Sequence, residues 1–435
     1  MVTFLPTRTG RLADVPSFDR AIGGAESNVA CVLAAAGHST RWVSRVGADG
    51  FGDHLVRAIG AYGVDVASVR RDPARPTGIY FRTAGDRAGD DHEVAYYRAG
   101  SAASAMTVDA VDLAALRAAR ILHLSGITAA LSAGCLDLLR ALTAPRPGRR
   151  PLVSFDVNFR PGLWRDAAAP RVLLDLARRC DLVFVGTDEA EAAWGVPPDP
   201  DAIRALLPEP RTLVVKEGAR GATVFDTDTS FPVSDTRASV PVSDARASAA
   251  ASDTGAPVPA PDSGTRTSVA AGDTRATAPA SKADTHAPVP ASDSGTRTSV
   301  AAGDTRAPAP ASKADTRAPV PAPDSGTRTS VPAADTRTFV PALHVDVVAP
   351  VGAGDAFAAG FLSATLRGLP VRERIRSGHL MAAAALTVPG DLAVPPSREH
   401  ADRLIALDDA AWGRLRLGPG WTHAAGRADE EVPTP

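Results

Sequence analysis

The sequence predicts an α/β domain, on three grounds. Apolar runs of strand length alternate with small-residue or amphipathic runs of helix length, from about residue 29 to 229 and again from 339 onward. That is the rhythm of a sheet covered by helices. Several of the apolar runs end in polar or glycine-rich turns, at 158–160, 186–189 and 216–221. Parallel α/β sheets bind ligands at that end of their strands. The third ground is Val351-Gly352-Ala353-Gly354-Asp355-Ala356-Phe357, which lies between the apolar run 345–348 and the small-residue run 358–366. It reads as a strand turning into a buried helix.

Length and composition narrow the classes. Of 435 residues 44% are hydrophobic, enough for a sizeable core, and only 5% are aromatic. The net charge of −2 supplies no bulk positive field for nucleic acid or a membrane surface. Lysine is nearly absent, and arginine carries the positive charge. Cys31, Cys135 and Cys180 are far apart and odd in number, which suits a reducing cytosol and fits no metal-ligand spacing. Residues 1–6 lack a signal-peptide layout, and no apolar run approaches the ~20 residues of a membrane span.

Residues 1–22 are short apolar patches among polar residues. Gly23-Gly24-Ala25-Glu26-Ser27-Asn28 then enters a helix of small residues, 29–36. Such a turn can offer backbone N–H groups to a polar ligand, with Asn28 adding its amide, or can be a plain turn. A strand follows at 40–46, then a helix at 53–62, and another extended piece begins at 63–65. Residues 77–98 break the rhythm, with strand-like pieces at 77–82 and 93–98 around a Gly- and Asp-rich turn. This hairpin carries Tyr80, Tyr96 and Tyr97, three of the four tyrosines, together with arginines. It suits a polar binding surface and equally an ordinary half-exposed hairpin. The α/β rhythm resumes with strands at 121–126, 152–160, 182–185 and 211–216 and helices at 131–142, 172–179 and 190–194.

From about Ser230 to Thr338 the chain turns to Ala, Pro, Ser, Thr, Asp and Arg. Asp262-Ser263-Gly264-Thr265-Arg266-Thr267-Ser268-Val269 recurs from Asp293 and from Asp324, every 31 residues. A stacked solenoid needs an apolar face on each repeat. This unit offers isolated Val and Ala, too little to offset the entropy of ordering it. We read a disordered insertion at the tip of a hairpin, where long insertions cost little. The domain is then 1–229 with 339–435, interrupted by 230–338. After the glycine motif come a helix to Arg367, a second at 374–388, Gly390-Asp391, and a polar tail from about Gly418.

The glycine motif has chemical content. Its two glycines let the backbone turn tightly and approach a ligand. Free N–H groups and the positive end of the helix dipole make an anion site there. A carboxylate inside an anion site is out of place unless it does chemistry. Asp355 is therefore a candidate base beside a transferring phosphoryl group. Taken alone, the tetrapeptide also suits a glycine turn with an Asp cap.

Together these stretches resemble the ribokinase-like, or PfkB, family of carbohydrate kinases. Gly23, Gly24 and Asn28 match its front signature Gly-Gly-x-x-x-Asn, and Gly352 to Asp355 match its back signature Gly-Ala-Gly-Asp. Lys216, Gly218 and Gly221 match the Lys-x-Gly-x-x-Gly of its nucleotide strand. Residues 23–28, 96–102, 122–128, 156–160 and 350–357 further resemble 2-keto-3-deoxygluconate kinases.

The resemblance implies a three-layer α/β/α sandwich with a small β-sheet lid, to which 77–98 contributes. It implies phosphorylation of the 6-hydroxyl of 2-dehydro-3-deoxy-D-gluconate by ATP with Mg²⁺, with room for a monovalent cation. Gly24 and Asn28 would touch the sugar acid. Tyr80, Tyr96 and Arg98 would bind it from the lid, and Arg160 would meet its carboxylate or the phosphoryl group. Asn158, Lys216, Gly218 and Gly221 would line the nucleotide, and Glu189 would act on Mg²⁺ through water. Asp355 would take the hydroxyl proton while the backbone of Gly352, Ala353 and Gly354 holds the developing charge. In other enzymes a donor of that kind is worth roughly 3–4 kcal/mol. An arginine fork suits a sugar carboxylate. The implied partners are the sugar acid, ATP and further copies of the chain in a cytoplasmic homo-oligomer, with no nucleic acid or membrane.

Three departures stand out. The family's strand carrying Gly-Glu or Gly-Asp precedes the segment matching residues 1–6, and the sequence begins after it, which we read as a mis-assigned start codon. Ala349-Pro350 stands where Asp-Pro is usual, and Gly186 replaces the Asn of Asn-x-x-Glu. Both weaken the cation assignment more than the catalytic one. The alternatives are a kinase for another sugar, such as fructose or ribose, and a non-catalytic sugar- or nucleotide-binding relative. A dinucleotide-binding oxidoreductase would need Gly-x-Gly-x-x-Gly after the first strand with an acid ~20 residues on, and that pattern is not found.

Overall fold

A computed structural model describes residues 1–8, 10–83, 93–145, 151–164, 169–227 and 335–423. The segment read as an insertion lies outside them, apart from its last four residues, and so does the hairpin turn at 84–92. The chain opens with β1 (Val2–Pro6), β2 (Phe18–Ile22), α1 (Ala25–Ala35), β3 (Ser44–Gly47), α2 (Gly50–Ala61), β4 (Val69–Asp72), β5 (Ile79–Arg82) and β6 (Val94–Tyr97). Next come α3 (Leu113–Ala118), β7 (Ile121–Ser125), α4 (Gly126–Ala129), α5 (Ala133–Thr143), β8 (Leu152–Asp156), α6 (Ala169–Ala177) and β9 (Leu182–Gly186). These are followed by α7 (Thr187–Trp194), α8 (Pro200–Leu206), β10 (Thr212–Lys216) and β11 (Gly221–Asp226). The last group is β12 (Thr336–Pro341), β13 (His344–Val345), α9 (Ala353–Leu366), α10 (Val371–Leu386), α11 (Arg398–Ile405), α12 (Asp409–Arg414) and β14 (Arg416–Leu417).

The main sheet has the order β12-β11-β10-β9-β8-β7. Strands β7 to β10 run parallel, and β11 and β12 are antiparallel additions at one side. Parallel strands covered on both faces read as continuous apolar runs. Accordingly, Leu182, Val183, Phe184 and Val185 of β9 are all fully buried. Leu182, Phe184, Val214 and Val224 face a core built with α9 and α10. Phe155, Val183, Val185, Leu213 and Val215 face a second core with α5 and α6. The result is a ribokinase-like three-layer fold.

The small residues of α9 and α10 have a steric cause. A Cβ on Gly360 would lie 2.3 Å from the Ser377 carbonyl oxygen, and one on Gly378 would lie 2.8 Å from the Phe357 ring. The two helices therefore meet almost backbone to backbone. Asp49, Ser132, Asp199 and Asp408 each accept an N–H from the first turn of the helix they precede, as N-caps do.

A second sheet, β2-β1-β5-β6, contains the expected hairpin and two strands drawn from residues the sequence showed only as apolar patches. Phe4 stacks on Phe81 at 4.7 Å, and Phe18 meets the same ring at 5.2 Å. Strands β3 and β4 form a separate parallel pair. Among the described residues β7 has one neighbour, β8. Leu122 and Leu124 on that edge and Trp42 and Ser44 beside β3 line a common cavity of about 1170 Å³.

Several boundaries differ from the sequence expectation. The strand expected at 345–348 is only His344–Val345, and it pairs with β14. Beyond it the Val348 N–H goes to Leu386 O, at the end of α10. Pro350 removes a ladder donor just before the glycine motif. Residues 418–423 are not a loose tail, because Trp421 is buried with its ring 5.9 Å from His400. Strand β12 begins at Thr336, ahead of the Phe339 expected from the sequence, since Thr336–Thr338 pair with Val224–Asp226. No helix among the described residues is long and apolar enough to cross a membrane.

Asp335 ties the start of β12 to α8. The buried Arg204 guanidinium donates to its two oxygens at 2.7 and 3.0 Å and to the carbonyls of Leu207 and Pro210. Asp335→Ala leaves that charge without its carboxylate. It should lower the urea-unfolding free energy by about 1–3 kcal/mol. An unchanged midpoint would show that the pair holds nothing.

Candidate active site

The site is built on the first turn of α9. Gly352 precedes it with φ 79°, a left-handed conformation that favours glycine. A Cβ there would also lie 2.3 Å from the carbonyl oxygen of Asp391. The first intrahelical bond at this end is Ala356 N–H to Gly352 O. The N–H groups of Ala353, Gly354 and Asp355 are thus the donors a helix start leaves free. Asp355 is in this first turn, and the Asn28 side-chain amide donates to its Oδ2 at 2.9 Å. Asn28 lies in the first turn of α1, behind Gly24, which has φ 137°. The two glycine turns therefore meet across 327 residues of sequence.

Burial pushes the Asp355 carboxyl up to about 7. The Asn28 hydrogen bond and the Lys216 ammonium oppose that rise, while the carboxylates of Asp156 and Asp391 add to it. Lys216, at the end of β10, reaches Asp156, at the end of β8, with Nζ 3.1 and 3.4 Å from the two carboxylate oxygens. Burial alone would lower the Lys216 ammonium's pKa. Asp156 and Glu189, with Asp355 behind them, raise it above its ordinary value instead. Asn158, just past β8, has φ 42°, the one positive φ outside glycine among the described residues. It is buried and its Oδ1 has no partner. Strain of this kind gathers at functional sites.

Glu189 is in the first turn of α7, not in a loop. Its Oε2 accepts the Gly186 N–H at 2.9 Å, and its Oε1 lies 3.3 Å from Arg160. No group of three or more His, Cys, Asp or Glu among the described residues could hold a metal. One carboxylate acting through water beside substrate phosphates is nevertheless an arrangement that suits Mg²⁺.

The lid sheet contributes from above. Tyr80 is 5% exposed and donates its hydroxyl to Asp391 Oδ2 at 2.5 Å. Arg82, 2% exposed, lies 3.2 Å from Asp391 Oδ1 and donates to Pro389 O. Arg98 has an unpartnered Nε, and burial lowers its pKa. Tyr96 is half exposed, its ring 5.5 Å from that of Tyr80.

Nearly all the residues expected from the sequence line the one cavity: Gly24, Asn28, Tyr80, Tyr96, Arg98, Asn158, Arg160, Glu189, Lys216, Gly218, Gly352, Gly354 and Asp355. Ala353 and Gly221 do not. Ala353 offers its backbone alone. Gly221 is a packing glycine, because a Cβ there would lie 2.3 Å from Val340 O in the adjacent strand. Asp156 and Glu26 lie within the motifs at 156–160 and 23–28, where the sequence implies no role for either. Glu26 accepts a short hydrogen bond from the Thr128 hydroxyl. Asp391 was noted only as the end of a helix. A lone acid after the glycine that closes an apolar helix was the available signal.

A helix start that carries a carboxylate among free N–H donors, at the polar end of a parallel sheet and beneath a small second sheet, is the build of a sugar kinase. The description "pfkB family carbohydrate kinase" fits residues 2–292 and 322–398, and the chain belongs to that family, whose members are phosphotransferases with an alcohol group as acceptor. It is 36% identical over 219 residues to a 2-dehydro-3-deoxygluconokinase of Thermoproteus tenax, covering 50% of this chain and 66% of that protein. It is 35% identical over 233 residues to the enzyme of the same name from Bacillus subtilis, covering 53% and 71%. The crystal structure of a PfkB protein from a Polaromonas species superposes with a TM-score of 0.59 at 26% identity, covering 92% of this chain and 96% of that one.

The raised Asp355 carboxyl has a consequence for stability. A folded pKa above the unfolded 3.8 means that the folded state holds its proton longer. Stability from this group is complete below pH 3.8 and is lost as pH rises through about 7. The neutral variant Asp355→Asn should therefore gain on the parent across that window, by on the order of 1–3 kcal/mol after allowing for the cavity's water. Thermal melts from pH 4 to 8 read this. A parallel pH dependence in the two proteins would rule it out.

Proposed function

We propose that the chain transfers the γ-phosphoryl group of ATP to the 6-hydroxyl of 2-dehydro-3-deoxy-D-gluconate. The observation that carries this reading is Asp355, a carboxyl titrating at about 7 within the N–H ring of α9. A base works best with its pKa near the operating pH. Asp355 takes the proton of the attacking hydroxyl. The N–H groups of Ala353, Gly354 and Asp355 receive the charge that develops on the transferred group.

Arginine near the sugar supports an acid as substrate. Arg98 enters the cavity from the lid with a free Nε, and a guanidinium suits a carboxylate. The two curated relatives carry the same substrate in their names. Asn28 both holds Asp355 and faces the cavity, so it orders base and sugar together. Tyr80 acts through Asp391, which holds its hydroxyl. Lys216 and Gly218 line the nucleotide end, where Gly218 leaves its backbone open. Mg²⁺ bound with the nucleotide would neutralise phosphate charge, with Glu189 reaching it through water.

Coupled-assay turnover with ATP and the sugar acid should show kcat reduced about 10²- to 10⁴-fold in Asp355→Asn, with the sugar KM little changed. A wild-type rate in that variant would remove Asp355 as base. In the parent, kcat/KM should fall as pH drops below about 7. Arg98→Ala should raise KM for the sugar acid by about tenfold or more while leaving any turnover of neutral fructose unaffected. Equal losses for both sugars would deny the carboxylate contact.

A further inference from the structure

We propose that Asp156 is a positioning residue that holds the Lys216 ammonium against the anion hole, across the end of β9. The proposal rests on the kinase reading above and adds a residue to it.

Register places the parts. Asp156 lies opposite Phe184, and Lys216 lies opposite Gly186. Side chains at matched or alternate positions of neighbouring strands share a face. All four positions therefore point to the α9 side of the sheet. β9 runs between β8 and β10, with strands about 4.8 Å apart, so the ion pair has to pass over β9. Lys216 stands opposite Gly186, the one position at the end of that strand with no side chain. Backbone conformation does not demand glycine there, since Gly186 has φ −84°. The nearest neighbours of an added Cβ would be Glu189 side-chain atoms at 3.5–3.6 Å, which is ordinary contact.

The choice of lysine is informative. Lys216, Lys282 and Lys313 are the only lysines among 47 Lys and Arg residues, and Lys216 alone is in the described part. Arginine's planar fork fits a fixed bidentate partner, whereas an ammonium on a flexible stem can turn from one anion to another. A Cβ on Gly354 would lie 3.6 Å from Lys216 Nζ. The ammonium thus already rests beside the donors that would meet the phosphoryl group. Asp156 is 2% exposed, and removing either partner leaves the other buried and unpaired. On arrival of the nucleotide, Lys216 has only to turn from Asp156 to the phosphate.

The groups facing Asp355 are Asn28 of α1, Asp156 of β8, Lys216 of β10 and Asp391 beyond α10. Glu189 of α7 and His123 of β7 face Lys216 as well. Removing the Asp156 charge therefore takes a like charge from Asp355 and frees Lys216 toward it. Both changes move its titration down.

The test compares the parent with Asp156→Asn and Asp156→Glu. Asp156→Asn should lower kcat/KM for ATP on the order of a hundredfold, keep the sugar KM within about twofold, and move the acid limb of the pH profile to lower pH. Asp156→Glu should recover much of the loss. A readout free of turnover is the side-chain ¹⁵N resonance of Lys216 in lysine-labelled protein, which has only three such signals. It should shift in Asp156→Asn. A Lys216 resonance indifferent to that variant, or an unchanged acid limb and ATP kcat/KM in it, overturns the proposal. Absence of turnover in the parent strikes instead at the kinase reading and leaves the resonance test standing.

Discussion

The hydrogen bond from Asn28 to Asp355 joins the front of the chain to its back, and the site depends on it. Asp355 is in the first turn of a helix, where the dipole favours negative charge. That effect is about 0.3–1 kcal/mol at accessible positions. One pKa unit is about 1.36 kcal/mol, and Asp355 rises from 3.8 to about 7. Burial and the nearby carboxylates therefore outweigh the dipole, and the dipole alone cannot keep this carboxyl ionised. The opposing influences are specific: the amide of Asn28 and the ammonium of Lys216. Glycine at 24 and at 352 lets the chain reach the start of each of the two helices involved.

Asp391 carries the same constraint into the lid. Its backbone carbonyl excludes any side chain at 352, and its carboxylate takes the Tyr80 hydroxyl and the Arg82 guanidinium from β5. An almost fully buried guanidinium is tolerable only when paired and hydrogen-bonded, which Asp391 and the Pro389 carbonyl provide. The base of the second sheet is thus anchored to the residue that fixes the turn at Gly352. Tyr96 and Tyr97 at the outer strand remain open to solvent.

Much of this was legible in the sequence for a physical reason. Strands buried on both faces must be uniformly apolar, so 182–185 and 212–215 announced themselves. Glycines forced by close approach at 352 and 360 marked the α9 region. The lid strands in residues 1–22 were not legible, because strand β2 has a single buried residue and its partner β1 takes its other neighbour from β5, with Val2 opposite Ile79. Asp391 and Asp156 were missed for a related reason. A single acid in an apolar context has no periodicity, and its meaning lies in the groups that converge on it in space. Gly221 fits the nucleotide pattern, lies outside the cavity lining, and sits where a Cβ would meet the Val340 carbonyl of β12.

Gly186 shows how a departure from the family pattern can be cheap for the fold and consequential for the site. Replacing a good N-cap residue by glycine costs only a few tenths of a kcal/mol. At α7 the Glu189 side chain still returns to the Gly186 N–H, so the helix start keeps a partner. The change instead removes a polar side chain from the sheet's ligand end. Glu189, with one oxygen on that N–H and the other near Arg160, has little left for direct metal contact. On the proposed kinase reading, charge balance at the phosphate end therefore falls more heavily on Lys216 and on the N–H groups of α9.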